Sequence, residues 1–447
     1  MLTALSKHPH PKAILPKAIN VVNAMQKKDS LVNPNHIHYT QLLQICAKAG
    51  DMKSIWHSLS NLPEKGPNAP SSQTYTVVLQ AIKTSLQEES LEPQQRQELI
   101  QTAIEIWDLV VKKWHEGVVN MDSHLVCAIV RVMTLSDDKI HWLSVFDLIE
   151  QTTGQPSLRL PNRDRREALD AQSALVSENS VFSKVPTSVQ TSSPIHFIRP
   201  TIQLLDAVLW TCFNLKDSVR ARHYMEIFSS TGQQQLSPDT ASFKVYLKIL
   251  RRTRSSKQAV EAVQKYAISN RPDWGIFRIA MSTCARNMPN KRTFGEAVEL
   301  FKLRKSLFPK EPDMKFIEQF VKEVLHHRHV CDLEIRQLML SEAGEEAVFA
   351  LSLPNYGWSK EDKILDGTTQ SFRQKSCEVA NELIRQIDKL TNPNRSDKMK
   401  DLVSHGPEEE MSSVSPEAFS KTKQKLSEFI RQVEQEKRTS EEPTPVQ

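Results

Sequence analysis

Residues 34–50 read PNHIHYTQLLQICAKAG, and the pattern restarts at 71–79 as SSQTYTVVL. Tyr39 and Tyr75 are 36 residues apart. In each copy a large apolar residue is followed three and four positions later by further apolar residues: Leu42 and Leu43 after Tyr39, Val78 and Leu79 after Tyr75. That spacing sets all three on one helical face. The pattern recurs at Leu204 (with Ala207 and Val208), at Phe243 (Tyr246, Leu247) and at Phe277 (Ala280, Met281), with weaker copies at Leu125 and near Phe316. A period of 34 to 39 residues marks stacked helical hairpins, each too small to bury its own apolar face. It points to a binding surface spread over repeats, not to one catalytic pocket.

Each unit also has a second amphipathic segment. Ala103–Leu109 and Phe294–Phe301 are the clearest. Pro238-Asp239, Pro272-Asp273 and Pro312-Asp313 punctuate the units: proline disfavours helix in the residue before it, and Asp caps the next helix. The chain has 11 glycines in 447 residues and no sustained strand-like alternation, so the expectation is an all-α fold, a right-handed solenoid of stacked hairpins with a helical C-terminal extension. No apolar run approaches the length of a membrane span.

These residues resemble the pentatricopeptide repeat family. Lys48-Ala49-Gly50 matches its hairpin turn, Ala297-Val298-Glu299-Leu300-Phe301 its second helix, and the Pro-Asp pairs its unit ending. The resemblance covers residues 33 to about 330, and no single repeat is perfect. An unrelated helical solenoid shares the same physics. The resemblance implies an organellar, in particular mitochondrial, location and a single-stranded RNA partner lying along the concave face lined by first helices. Its base-reading positions, transferred one by one, are Thr40, Thr76, Val126, Leu205, Lys244 and Arg278 as first readers. Ser71, Asp239 and Asp273 are the second readers. Val126 and Leu205 offer no hydrogen bond. Lys244 and Arg278 suit phosphate or stacking better than base edges. The resemblance therefore does not imply a clean base-by-base code.

Charge points the same way. From Lys244 to Lys310 there are 16 Lys or Arg and four acids, while the whole chain carries only +5. Such a block is what phosphate neutralisation needs. Lys244, Arg251, Arg252, Arg278, Lys291 and Arg292 are its candidate phosphate contacts, with Arg251, Arg252 and Arg254 near a hairpin turn. The competing reading is a solvated helical face.

Catalysis finds little support. There is no phosphate-binding Gly-rich loop, no Gly-x-Ser-x-Gly elbow and no His-x-Glu with Cys-x-x-Cys, so neither enzyme activity nor a cofactor is expected. The six cysteines contain no Cys-x-x-Cys; Cys46 and Cys284 fall at core positions. His326, His327, His329 and Cys331 form a tempting cluster, but two side chains four apart are half a structural zinc site, so no metal is expected either.

Along the chain, residues 1–32 carry five lysines and no acid before Asp29. That suits either a presequence or a degenerate first hairpin with its second helix at 18–28, although Pro9, Pro11 and Pro16 argue against an amphipathic presequence helix. Repeats fill 33–151. Residues 152–200, with five prolines and many Ser and Thr, read as a largely disordered insertion. Repeats return over 201–345. A helical extension with a flexible linker spans 346–437, and 438–447 is a tail. The function expected is binding of a mitochondrial transcript in stability, processing, splicing or translation. The alternative is a protein-binding scaffold, such as a subunit attached to the mitochondrial ribosome. Limited proteolysis is predicted to cut within 152–200 before it cuts within 33–120; cleavage in the reverse order would show that the insertion packs as core.

Overall fold

The computed structural model describes the chain except residues 28, 65, 67, 89–90, 159–196, 231–236, 288–289, 291, 310, 312, 327–332, 353–376, 386, 389–415 and 442–447. Among the described residues every regular element is helical. In chain order these are α1 (Leu2–Ser6), α2 (Pro11–Met25), α3 (His36–Ala49), α4 (Met52–Ser60), α5 (Ser72–Leu86) and α6 (Pro93–His115). Then follow α7 (Ser123–Thr134), α8 (Lys139–Thr153), α9 (Ile202–Leu215), α10 (Ser218–Ser230), α11 (Thr240–Arg252) and α12 (Ser256–Ser269). The series closes with α13 (Trp274–Arg286), α14 (Thr293–Leu307), α15 (Met314–His326), α16 (Leu333–Ser352) and α17 (Pro416–Glu441). Every repeat start read from the sequence falls in a first helix: Tyr39 in α3, Tyr75 in α5, Leu125 in α7, Leu204 in α9, Phe243 in α11, Phe277 in α13 and Phe316 in α15. The chain divides into two compact units, Met1–Ile249 and Leu250–Gln447, the division falling inside α11.

In the first unit α3, α5, α7 and α9 pack each against the next. α4, α6, α8 and α10 each pack on the first helix of their own hairpin. Tyr39, Leu43, Tyr75, Leu79, Leu125, Ile129, Leu204 and Val208 are buried in consequence. Each such side chain contributes about 1.5–3 kcal/mol on leaving water. Side-chain caps set the helix starts: Asn35, Asp51, Ser71, Asp122, Asp138 and Thr201 each accept a backbone N–H of the first turn.

Three hairpin turns share one geometry. Asp51 N–H donates to the Cys46 carbonyl, Asp217 N–H to Cys212 and Ser255 N–H to Leu250, each across five residues. The residue before each donor is left-handed: Gly50 at φ 74°, Lys216 at 55° and Arg254 at 55°. This is the Schellman closure, and glycine is its usual occupant because a Cβ there is strained. Two of the three turns carry a cation instead.

The N-terminus departs from expectation. α2 begins at Pro11, seven residues before the start expected for a second helix, and runs through Pro16. Pro11 stands at the first helical position, where no N–H is needed. Pro16 is exposed, so the carbonyl it leaves without a donor faces solvent. α1 and α2 both pack on α3, burying Ile14, Leu15, Ala18 and Val22. The insertion has a closed neck: Ile198 N–H donates to the Thr152 carbonyl at 3.0 Å, and the Phe197 ring lies against Gly154. Residues 159–196, where disorder is expected, lie outside the described residues.

In the second unit α12, α13 and α14 pack mutually; α13 and α14 pack on α15, α15 on α16, and α16 on α17. A stacked aromatic run, Phe301 against Phe316 and Phe320, fills the interface of α14 with α15. Within the C-terminal extension, residues 377–385 and 387–388 are helical and bury Val379, Leu383 and Ile387. Thr422 of α17 sits where a Cβ on Gly344 would meet its methyl at 2.8 Å. Gly344→Leu is therefore expected to dislodge α17 from α16. Hydrogen exchange across 416–441 should accelerate at least tenfold while α3 to α8 stay protected, and unchanged protection of α17 would show that it is held elsewhere.

Candidate nucleic-acid interface

The residues nominated as base readers are engaged in building the hairpins. Thr40 is buried, its hydroxyl donates to the His36 carbonyl at 2.7 Å, and it shares a hydrogen bond of 2.9 Å with Thr74 one repeat later. Thr76 is buried as well, with its hydroxyl on the Ser72 carbonyl. Neither presents a hydroxyl to solvent. Ser71 caps α5 through Thr74 N–H, Asp239 accepts from Ser242 N–H at 2.8 Å, and Asp273 caps α13 through Ile276 N–H at 3.0 Å. Val126 and Leu205 are fully buried. Polar residue types at these positions are thus accounted for by helix starts and back-bonds.

The basic block is also less free than its composition indicates. Arg278, expected to face a groove, forks onto Asp313 with Nε–Oδ2 at 2.6 Å and Nη2–Oδ1 at 2.8 Å. Asp313 is buried and also accepts Lys315 N–H. A bidentate pair of this kind is a structural clamp between consecutive repeats. Arg304 is buried between the rings of Trp274 and Phe316 and paired with Glu346. Lys305 reaches Glu342 and Arg271 reaches Glu311. In every case the acid lies 35 to 42 residues after the base. The count that ended at Lys310 stopped just short of the acids that answer it.

Lys257, Lys265 and Lys302 are exposed along α12 and α14, and a denser group of arginines lies at two adjacent turns of the second unit. The turn after α11 carries Arg251, Arg252 and Arg254; the end of α13 and start of α14 carry Arg286 and Arg292. Asn287 Nδ2 donates to Ser256 Oγ at 2.7 Å and ties the two turns together. Burial first, then the charge of Arg286, pulls the Arg251 guanidinium below its usual range. Like charges that act on one another disfavour the charged form and favour an anion nearby. Among the described residues Arg254, Arg286 and Arg292 make no ion pair. Lys291 lies outside the described residues. Lys244 and Lys248 lie half-exposed on α11 in the first unit. Arg286 was not among the sequence candidates. Its signal was its place 34 residues after Arg252, one repeat on, in the same turn.

Other chemistry is thin. Cys46 and Cys127 are buried, and desolvation pushes their thiols up to about 12; Cys212 is raised by the same cause. A neutral buried thiol is a packing group, not a nucleophile. Among the described residues no group of three His, Cys, Asp or Glu could hold a metal, and most of the His326–Cys331 cluster lies outside them. No helix of the described residues is long and apolar enough to cross a membrane.

The Arg278 clamp makes a prediction opposite to a phosphate role. Asp313→Ala should cost about 1–2 kcal/mol through loss of the cap and of the fork to Arg278. A double-mutant cycle with Arg278→Ala, followed by urea denaturation, should return a coupling of about 1 kcal/mol. A coupling indistinguishable from zero would mean that solvent screens the fork.

No protein-family model matches the chain, and neither does any curated protein sequence. Among solved structures, the crystal structure of the pentatricopeptide repeat protein PPR10 from maize is similar to it, at 13% sequence identity and a TM-score of 0.18, over 94% of this chain and 70% of that one. A TM-score of that size carries no argument about fold or function.

Proposed function

We propose that this is an RNA-binding helical-repeat protein of pentatricopeptide type that acts on mitochondrial transcripts, in their stability, processing, splicing or translation. It works as a binding scaffold and not as a catalyst. The observation that carries the reading is the arginine cluster on the paired turns of the second unit, Arg251, Arg252, Arg254, Arg286 and Arg292, with the turns joined by the Asn287–Ser256 hydrogen bond. Like-charged guanidiniums at neighbouring turns are costly in the free protein and are relieved by a polyanion. The mitochondrial location rests on the sequence resemblance alone.

This reading differs from a base code. Most positions that a code would use are buried or spent on caps, and Arg278 is forked onto Asp313, so affinity here comes from phosphates and from the shape of the strand. Arg254 supports that view. A left-handed Arg costs about 1 kcal/mol that glycine would avoid. The charge it holds at the crest of the turn stands among the other arginines, and that setting is what the cost maintains.

Two measurements test the proposal. Changing Arg254, Arg286 and Arg292 together to Glu should weaken binding of a single-stranded RNA by more than tenfold. The salt slope should flatten by about two, since each single-strand phosphate contact contributes about 0.7. Arg254→Gly should raise stability by about 1 kcal/mol yet lower RNA affinity. Lys216→Gly, at the equivalent turn of the first unit, should raise stability and leave affinity within twofold. If the triple variant binds as well as the parent at physiological salt, the turns are a solvated face. The protein-binding scaffold, with its cations spent on clamps between repeats, would then be the better account.

A further inference from the structure

Most aromatic rings of the first helices are buried, Phe213 and Trp274 are partly so, and Trp210 of α9 is exposed. α9 packs Leu204, Leu205, Val208, Leu209 and Cys212 into the core and turns Gln203 and Trp210 outward, seven residues apart on one face. Trp210 keeps 38% of its surface exposed, whereas Trp107 of α6 is wholly buried. The ring is held, not loose. Phe213 meets it edge-on at 5.3 Å, and Lys248 Nζ of α11 lies 5.8 Å over it. The helix beneath is fixed to α7 by Thr211 on Thr134 at 3.1 Å and by Asn214 Nδ2 on the Thr134 carbonyl at 2.9 Å. Asp206, one turn earlier, is half-exposed and lies within electrostatic reach of Arg131 on α7.

We propose that Trp210 is a stacking platform for one base of a single-stranded nucleic acid, and that Lys248 moves from the ring to the neighbouring phosphate when the base arrives. An exposed indole offers a flat π-face of the right size, and every base can stack on it whatever its sequence. The cation already over that face marks a place where an ammonium and an aromatic group share one site. A protein partner would need more: docking surfaces gather several apolar side chains. Among the described residues Trp210 is the sole exposed large apolar side chain on α7, α9 and α11. One rigid ring beside a lysine, set among polar groups, is the chemistry of a nucleotide. The inference rests on the RNA-binding reading and extends it from the turns of the second unit to a face of the first.

The test uses the full-length chain with a 12-nucleotide single-stranded RNA and with an oligonucleotide of the same length that carries abasic sites throughout. Trp210→Ala and Trp210→Gln should weaken binding of the base-bearing strand about tenfold. Trp210→Tyr should retain most of the affinity. The abasic strand should bind the parent and both truncated variants alike. Lys248→Ala should lower the salt slope by about 0.7 with either strand. Thermal unfolding of the variants confirms that each is folded, and Gln keeps an exposed helix former should Ala fail. Parent-like binding by Trp210→Gln, or an equal loss on the abasic strand, overturns this inference and leaves the RNA-binding reading standing. If the parent binds neither strand, both fall.

Discussion

A helical hairpin cannot bury the apolar stripe of its first helix with its own second helix alone; it needs the next first helix. That need sets the distance between like contacts at one repeat. It explains why the rows α3–α5–α7–α9 and α13–α15 are the contacts between hairpins, and why their large residues are buried almost without exception. It also governs the polar groups. Thr40 meets Thr74, Gln264 meets Glu299, Arg278 meets Asp313 and Lys305 meets Glu342, each pair separated by 34 to 37 residues. Once the stripe fixes the register of the stack, a side chain finds its partner one period along the chain.

The same register pairs several cations along the body of a helix, Arg278, Arg304 and Lys305 among them, with acids that follow about one repeat later. Arg304 is the extreme case, buried against two rings with Glu346 beside it, where removing the acid would leave an uncompensated charge. Cations at a turn sit where the helix pair ends and the next hairpin offers only another turn. There burial and then the charge of Arg286 bear on Arg251. A positive edge follows from topology once turns carry arginine, and the strained Arg254 shows what such a turn gives up in stability to keep its charge.

Much was legible from residues alone. Periodicity located all seven first helices, because the spacing of Tyr39, Leu42 and Leu43 and its copies is a statement about one helical face. Breaker chemistry located their starts: Asp239 and Asp273 cap the helices that follow them. Composition also showed that residues 244–310 are strongly basic. The α2 helix was harder, since Pro16 reads as a breaker until its exposed position is known.

What each polar side chain does was decided by tertiary structure. Thr40 and Thr76 are the residue type a base reader needs, yet a threonine hydroxyl within a helix bonds equally well to the carbonyl four residues back, and burial selects that bond. Arg278 follows a repeat aromatic, as a groove residue should, and is claimed by an aspartate 35 residues later. Nothing in the sequence singles out Trp210, because hydrophobicity does not distinguish the face that packs from the face left open. The sequence alone determined the fold, since helical period and stacking period are properties of residue order. The surface needed coordinates, because charge and hydrogen-bonding capacity are spent on whichever neighbour the stacked hairpins bring within about 3 Å.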